Sequence, residues 1–173
     1  MLYIRHGQKS YCNGKSLNYS LDPDLTEFGR LNAKNRFEYL LNKFGIPDVI
    51  ITSPYLRTRE TAQIAQNVIL EQTGQFIPIM YDPLIGEYLG NQKNVPFVNG
   101  LRPETLQYNP VPHETWDQFS QRVEDHVVSD KLSGWYVTHG LFIQKISSKY
   151  GFNIPYPKEL TGIYIDNNHI EVI

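Results

Sequence analysis

The stretch Asp48-Val49-Ile50-Ile51-Thr52-Ser53-Pro54-Tyr55-Leu56-Arg57-Thr58-Arg59-Glu60-Thr61-Ala62 decides the fold class. Val49 to Thr52 is β-branched throughout, the composition of a strand buried on both faces. Ser53-Pro54 then reads as a helix cap with proline at the first helical position. Beyond it the apolar period changes from two to 3.6. Thr58, Thr61, Ala62, Ala65, Val68 and Ile69 share one face of a helix running to about Thr73. A buried strand feeding such a helix is the opening of a β-α-β unit.

The alternation continues in both directions. Upstream, Leu2-Tyr3-Ile4 is a short strand stopped by Gly7, and Asp24 or Thr26 supplies the cap of a helix. Ala33, Phe37, Leu40, Leu41 and Phe44 fall within an arc of about 100° on that helix, which Gly45 and Pro47 close. Downstream, Phe76 to Tyr81 predicts a strand, Gln118 to Leu132 a helix, Trp135 to Thr138 a strand and Leu141 to Tyr150 a helix. Ile163-Tyr164-Ile165 and Ile170 to Ile173, around Asp166-Asn167-Asn168, predict a terminal hairpin. The expected fold is α/β, one domain over 1–173 built as a three-layer sandwich, its largely parallel sheet carrying helices on both faces. Only 88–112 breaks the rhythm, with four Pro, two Gly and no period. A stretch that long without a period is expected to be a lid or binding loop inserted in the domain, and Tyr88, Phe97 and Tyr108 are candidates to line it.

Composition narrows the function. The chain has 173 residues, 40% apolar and 20% charged, which excludes a disordered chain. No apolar run approaches the roughly 20 residues of a membrane span, and Met1 to Arg5 lacks the form of a signal peptide. Sixteen Lys and Arg against eighteen Asp and Glu give a net charge of -2 and a pI near 6.2. A general electrostatic grip on nucleic acid is therefore disfavoured. Cys12 stands alone, so no internal disulfide forms and a reducing, cytoplasmic setting is expected. The His residues lack ligand spacing, so neither a metal nor a cofactor is expected.

Three groups sit just beyond strand ends: Arg5-His6-Gly7, the segment Ser53 to Ala62, and Thr138-His139-Gly140. In open α/β sheets ligands bind at those carboxyl ends. Gly7 and Gly140 allow the backbone to turn sharply and approach a ligand closely. Arg57 and Arg59 stand about 200° apart on a helix, so only one of them faces the site. Arg57 lies about 40° from Thr61, beside the packed stripe, and is the site residue; Arg59 points to the solvated side. His113, His126 and His169 have no such context and read as structural or surface residues. Cys12 lacks an arginine six positions on, where Asn18 stands, so a cysteine-phosphatase loop is excluded. Gly14-Lys15-Ser16 lacks the earlier glycine of a phosphate loop, its place being taken by Lys9.

Arg5-His6-Gly7, Ser53-Pro54-x-Leu56-Arg57-x-x-Glu60-Thr61-Ala62 and Thr138-His139-Gly140 together resemble the histidine phosphatase superfamily, the phosphoglycerate mutase-like clan. Asp24-x-x-x-x-Gly29 with Leu25-Thr26, and Glu114-Thr115-Trp116-x-x-Phe119-x-x-Arg122-Val123, resemble its linking segments. The order and spacing cover essentially the whole chain. The resemblance implies that His6 is a nucleophile that becomes phosphorylated. A neutral imidazole keeps a lone pair able to attack phosphorus, and its second nitrogen needs an acceptor that the sequence does not name. Arg5 and Arg57 offer planar forks for phosphate oxygens, and His139 would donate to the transferring group. The family's acid follows its third strand in a Leu-x-Glu-like segment. Glu87 in Leu84-Ile85-Gly86-Glu87 is the match, with one extra residue, and Asp82 and Glu114 are the alternatives. Asn13, seven residues after His6, and Gly140 complete the implied phosphate pocket.

The expected activity is that of a metal-independent phosphomonoesterase acting through phospho-His6 on a small phosphate ester or a phosphopeptide. The alternative is a phosphoglycerate mutase-type phosphotransferase. Mutases carry a longer insertion with paired basic residues, whereas 88–112 has only Lys93 and Arg102, nine positions apart. A third class, a phosphate-binding or interaction module without turnover, does not require a nucleophile.

Overall fold

A computed structural model describes residues 1–10, 21–90, 100–129, 133–166 and 169–173. Among the described residues one sheet of six strands runs in the order β3-β2-β4-β1-β5-β6. These are β1 (Leu2–Arg5), β2 (Val49–Thr52), β3 (Ile79–Tyr81), β4 (Gly134–Thr138), β5 (Gly162–Asp166) and β6 (His169–Val172). The first four in that spatial order are mutually parallel, and β5 and β6 add an antiparallel hairpin beside β1. The helices are α1 (Glu27–Phe44), α2 (Leu56–Thr73), α3 (Pro103–Leu106), α4 (Trp116–Ser129) and α5 (Gly140–Lys149).

Period-two alternation sorts the core into two layers. Leu2, Ile4, Ile50, Trp135 and Val137 point to the face covered by α1 and α2, against Phe37, Leu40, Ala62, Ala65 and Ile69. Tyr3, Ile51 and Tyr136 point to the other face, against Phe119 and Val123 of α4 and Phe142, Ile143 and Ile146 of α5. The expected three-layer α/β sandwich is the observed one. No helix among the described residues is long and apolar enough to cross a membrane.

Several local expectations need correction. The third strand begins at Ile79, because Phe76 is 69% exposed and pairs with nothing in the sheet. Ser53 does not cap α2. Tyr55 takes the cap position without a side-chain bond, and the amide of Leu56 instead donates to Asp22 Oδ1 at 2.6 Å. For α1, Thr26 is the cap, accepting from the Gly29 amide at 2.9 Å. Asp24 instead accepts from Ser10. Gly29 permits the close approach of α1 to the loop after β1, since a Cβ there would lie 2.4 Å from the Gln8 carbonyl oxygen.

The described part of the expected lid is ordered around Asp22. Its Oδ2 accepts from Thr105 Oγ1 on α3, and its carbonyl accepts from Arg102 Nε at 3.2 Å. Tyr108 stacks on Tyr81 with centroids 4.2 Å apart, while Tyr88 packs on Phe119 and Trp116. Phe97 and Lys93 lie outside the described residues, as do Cys12, Asn13 and Gly14-Lys15-Ser16.

Candidate active site

The sheet register brings the motifs together. Arg5 pairs with Thr138, and Val137 with Thr52, so β1, β4 and β2 end at one level. Two further bonds carry the ladder past the strand ends, from the His6 amide to the Thr138 carbonyl and from the Ser53 amide to the Val137 carbonyl, each 3.1 Å. His6, Ser53 and His139 thus leave the sheet side by side, and the two imidazole centroids lie 5.4 Å apart.

His6 is 1% exposed, and its Nδ1 lies 2.7 Å from the Gly7 carbonyl oxygen. A carbonyl only accepts, so Nδ1 carries the proton and neutral His6 leaves its Nε2 lone pair uncommitted. This carbonyl is the acceptor that the sequence did not identify. It is itself held, because the Gly7 amide donates to Thr61 Oγ1 at 3.0 Å, and Thr61 donates to the Arg57 carbonyl. Burial, and then the guanidinium of Arg57, hold the His6 pKa well below its ordinary value. The imidazole is therefore neutral at pH 7.

His139 is equally buried, and burial followed by Arg57 holds its pKa well below the ordinary value too. Its Nε2 lies 2.9 Å from Ser53 Oγ and its Nδ1 3.5 Å from Arg57 Nη2. Arginine only donates, so Nδ1 accepts and Nε2 donates to the serine hydroxyl. Ser53 therefore belongs to the candidate site, where the sequence predicts a helix cap.

Arg57 is fully buried. It donates to the Leu21 carbonyl at 3.2 Å, pairs with Glu87, and packs 4.8 Å from the centroid of Tyr55. Arg5 donates to the Pro157 carbonyl at 3.0 Å, lies 3.6 Å from Glu159 and sits under the Tyr156 ring. The Nε atoms of both arginines are buried and have no partner among the described residues. Two guanidinium groups beside two neutral imidazoles form the kind of donor set that an oxyanion requires. Lys9 joins it half-buried. Burial lowers its pKa, while Glu87 acts in the opposite sense.

Glu87 reaches the same place, its Oε2 on Arg57 and 3.9 Å from His139 Nδ1. The alternatives are engaged elsewhere. Asp82 caps the short turn Pro83–Ile85 through the Leu84 amide and lies 3.7 Å from His126, and Glu114 is buried against Arg122. Gly140 opens α5 under Tyr156, whose ring carbon would lie 2.4 Å from a Cβ there. Arg59 is a correction. It is not on the solvated side but half-buried, donating to Thr105 Oγ1 at 3.3 Å with Tyr108 alongside, and away from both imidazoles. Glu60 ties α2 to the Leu25 amide and to Arg30, each at 2.7 Å. His126 is buried among Tyr3, Tyr136 and Phe142, and is structural. No group of three or more His, Cys, Asp or Glu side chains among the described residues is placed to hold a metal ion.

The chain is also similar to known proteins. The chain is 30% identical over 87 residues to a 2,3-bisphosphoglycerate-dependent phosphoglycerate mutase of Corynebacterium efficiens, a match covering 50% of this chain but only 34% of that relative. Its fold is that of a structure described as a putative alpha-ribazole-5'-P phosphatase from Escherichia coli, with a TM-score of 0.62 and 18% identity over 99% of this chain and 92% of that one. A mycobacterial glucosyl-3-phosphoglycerate phosphatase gives 0.60 and 21% over 93% and 86%. The sequence profile of the histidine phosphatase superfamily (branch 1) runs from residue 1 to residue 167, so the chain belongs to that superfamily.

Proposed function

We propose that the protein hydrolyses phosphate monoesters through a phosphohistidine on His6. The observation that carries this reading is the bond from His6 Nδ1 to the Gly7 carbonyl, which among the described residues leaves Nε2 of a neutral, buried imidazole without a hydrogen-bond partner, under the electrostatic influence of Arg57 and Arg5. In the first step Nε2 attacks phosphorus, the P–O ester bond breaks, and the leaving oxygen takes a proton from Glu87. In the second step water attacks phosphorus, the P–N bond breaks, and Glu87 recovers a proton from the water. Phosphoryl transfer asks mainly for positioning and charge compensation, which Arg5, Arg57 and His139 supply.

The contact between Arg57 and Glu87 gives this sequence an order. A phosphoryl dianion entering the site competes with Glu87 for Arg57, so substrate binding frees the carboxyl from its cation. Arg102 Nε donates to the Asp22 carbonyl, so that guanidinium is in part engaged by the chain itself. The spacing of Lys93 and Arg102, nine positions apart, supports hydrolysis over mutase-type transfer. A small phosphate ester or a phosphopeptide remains the proposed substrate class, with 88–112 as the lid that selects among them.

The test is a substrate panel after exhaustive dialysis against a chelator. p-Nitrophenyl phosphate should be hydrolysed without added metal. 3-Phosphoglycerate should yield glycerate and phosphate rather than 2-phosphoglycerate, with or without the bisphosphate. Rapid interconversion of the phosphoglycerates would establish the mutase reading instead, and activity recovered only with added metal would refute the metal-independent mechanism.

A further inference from the structure

Glu87 lies in a stretch without regular backbone structure, yet its reach to Arg57 and His139 requires a defined backbone position. The residues before it are held in an unusual way. Arg122 of α4 donates through Nη1 to the carbonyls of both Leu84 and Gly86, the second at 3.2 Å. Thr138 Oγ1, at the end of β4, donates to the carbonyl of Ile85 at 2.6 Å. Three successive carbonyls are thus fixed by two side chains from different elements. Arg122 is in turn locked in a buried pair with Glu114, with Nε 3.1 Å from Oε2, and its guanidinium lies 5.1 Å from the Phe119 centroid.

We infer that Arg122 and Thr138 are positioning residues for the carboxyl of Glu87. Thr138 immediately precedes His139, so one strand end places both the donor and the loop that carries the acid. The clamp acts on the main chain and leaves the Glu87 side chain able to leave Arg57 when phosphate enters. Acid catalysis depends steeply on such placement, and a displacement of about 1 Å can cost about 10²-fold. The inference rests on the reading of Glu87 as the general acid, and goes beyond it by naming what holds the acid in register.

The experiment compares single-turnover phosphorylation of His6 by an alkyl phosphate and by p-nitrophenyl phosphate in Glu87→Gln, Thr138→Val, Thr138→Ser and Arg122→Lys. A nitrophenolate leaves without a proton and an alkoxide does not, so loss of acid placement slows only the alkyl ester. Thr138→Val is isosteric and Arg122→Lys keeps a charge beside Glu114, so both should fold. Each should slow the alkyl ester about tenfold and p-nitrophenyl phosphate less than about twofold, against ~10²–10⁴ on the alkyl ester for Glu87→Gln. Thr138→Ser, which keeps the hydroxyl, should restore the alkyl rate. If Glu87→Gln is selective but Thr138→Val and Arg122→Lys slow both esters equally or neither, the clamp is purely structural and this inference is overturned. If Glu87→Gln is itself unselective, the assignment of the acid falls and this inference falls with it.

Discussion

His6 and His139 leave adjacent parallel strands, are equally buried and are both held neutral, but their second partners differ. His6 gives its Nδ1 proton to a backbone carbonyl, a group that only accepts. His139 presents Nε2 to the hydroxyl of Ser53, a group that both accepts and donates. The carbonyl fixes one neutral tautomer, while the hydroxyl permits two. A nucleophile needs its lone pair in a fixed place. Under the proposed function His139 donates to the phosphoryl group from Nδ1, which requires Arg57 to turn to phosphate, Ser53 to rotate and donate to Nε2, and the ring proton to pass from Nε2 to Nδ1. Two imidazoles in nearly equivalent places thus differ in their hydrogen-bond partners, a backbone carbonyl for His6 and Ser53 with Arg57 for His139.

The strongest way to break this comparison is to delete each imidazole. His6→Ala should lose turnover of p-nitrophenyl phosphate on the order of 10⁶-fold, as for a deleted nucleophile. His139→Ala should lose about 10²–10³-fold, as for a lost preorganised donor. Equal losses would erase the distinction. A second comparison sets Arg57→Ala, also expected to cost about 10²–10³ in kcat/KM, against Arg59→Ala, expected to stay within about threefold. A large effect of Arg59→Ala would show that its contact with Thr105 matters to the reaction.

What the two histidines share appears in the pH dependence of stability. Burial depresses the pKa of both in the folded state, so below the ordinary value of 6.5 the unfolded chain binds protons that the folded one refuses. Stability is fully present above that pH. It should fall as pH drops, by at most about 1.4 kcal/mol per pH unit for each histidine. Urea unfolding at pH 7, 6 and 5 measures the slope, and His139→Asn should reduce it by up to half. A modest effect is expected of Ser53→Ala. Removing one net hydrogen bond costs about 0.5–1.5 kcal/mol, and the loss should appear in the turnover rate while the extent of His6 phosphorylation stays unchanged.

The sequence made the scaffold legible because both faces of the sheet are covered. Val49 to Thr52 and Trp135 to Thr138 read as continuous buried strands, and the stripes of α1 and α2 follow directly from their spacing. The site was legible wherever a residue lies on such an element or directly after one, as Arg5, His6, Arg57 and His139 do. It was not legible where a contact joins segments distant in the chain. The bond from Leu56 to Asp22 spans 34 residues and that from Thr138 to Ile85 spans 53, and no local period announces either. Ser53 was misread for the opposite reason. Its local signal, a serine before proline, suits a helix cap, and only the register of β2 with β4 reveals that the hydroxyl faces His139 instead. Arg59 was misjudged because a helix-face argument cannot include α3, which packs over that side of α2 through Thr105.

On the proposed mechanism, the fixed tautomer makes His6, and not His139, the residue that carries the phosphoryl group. The most direct measurement is rapid quenching of the protein with a ³²P-labelled phosphate ester, followed by peptide mapping of the acid-labile, base-stable label. The label should appear on the peptide containing His6, form and decay at rates compatible with turnover, and vanish in His6→Ala. A label on the peptide containing His139, or undiminished turnover by His6→Ala, would contradict it.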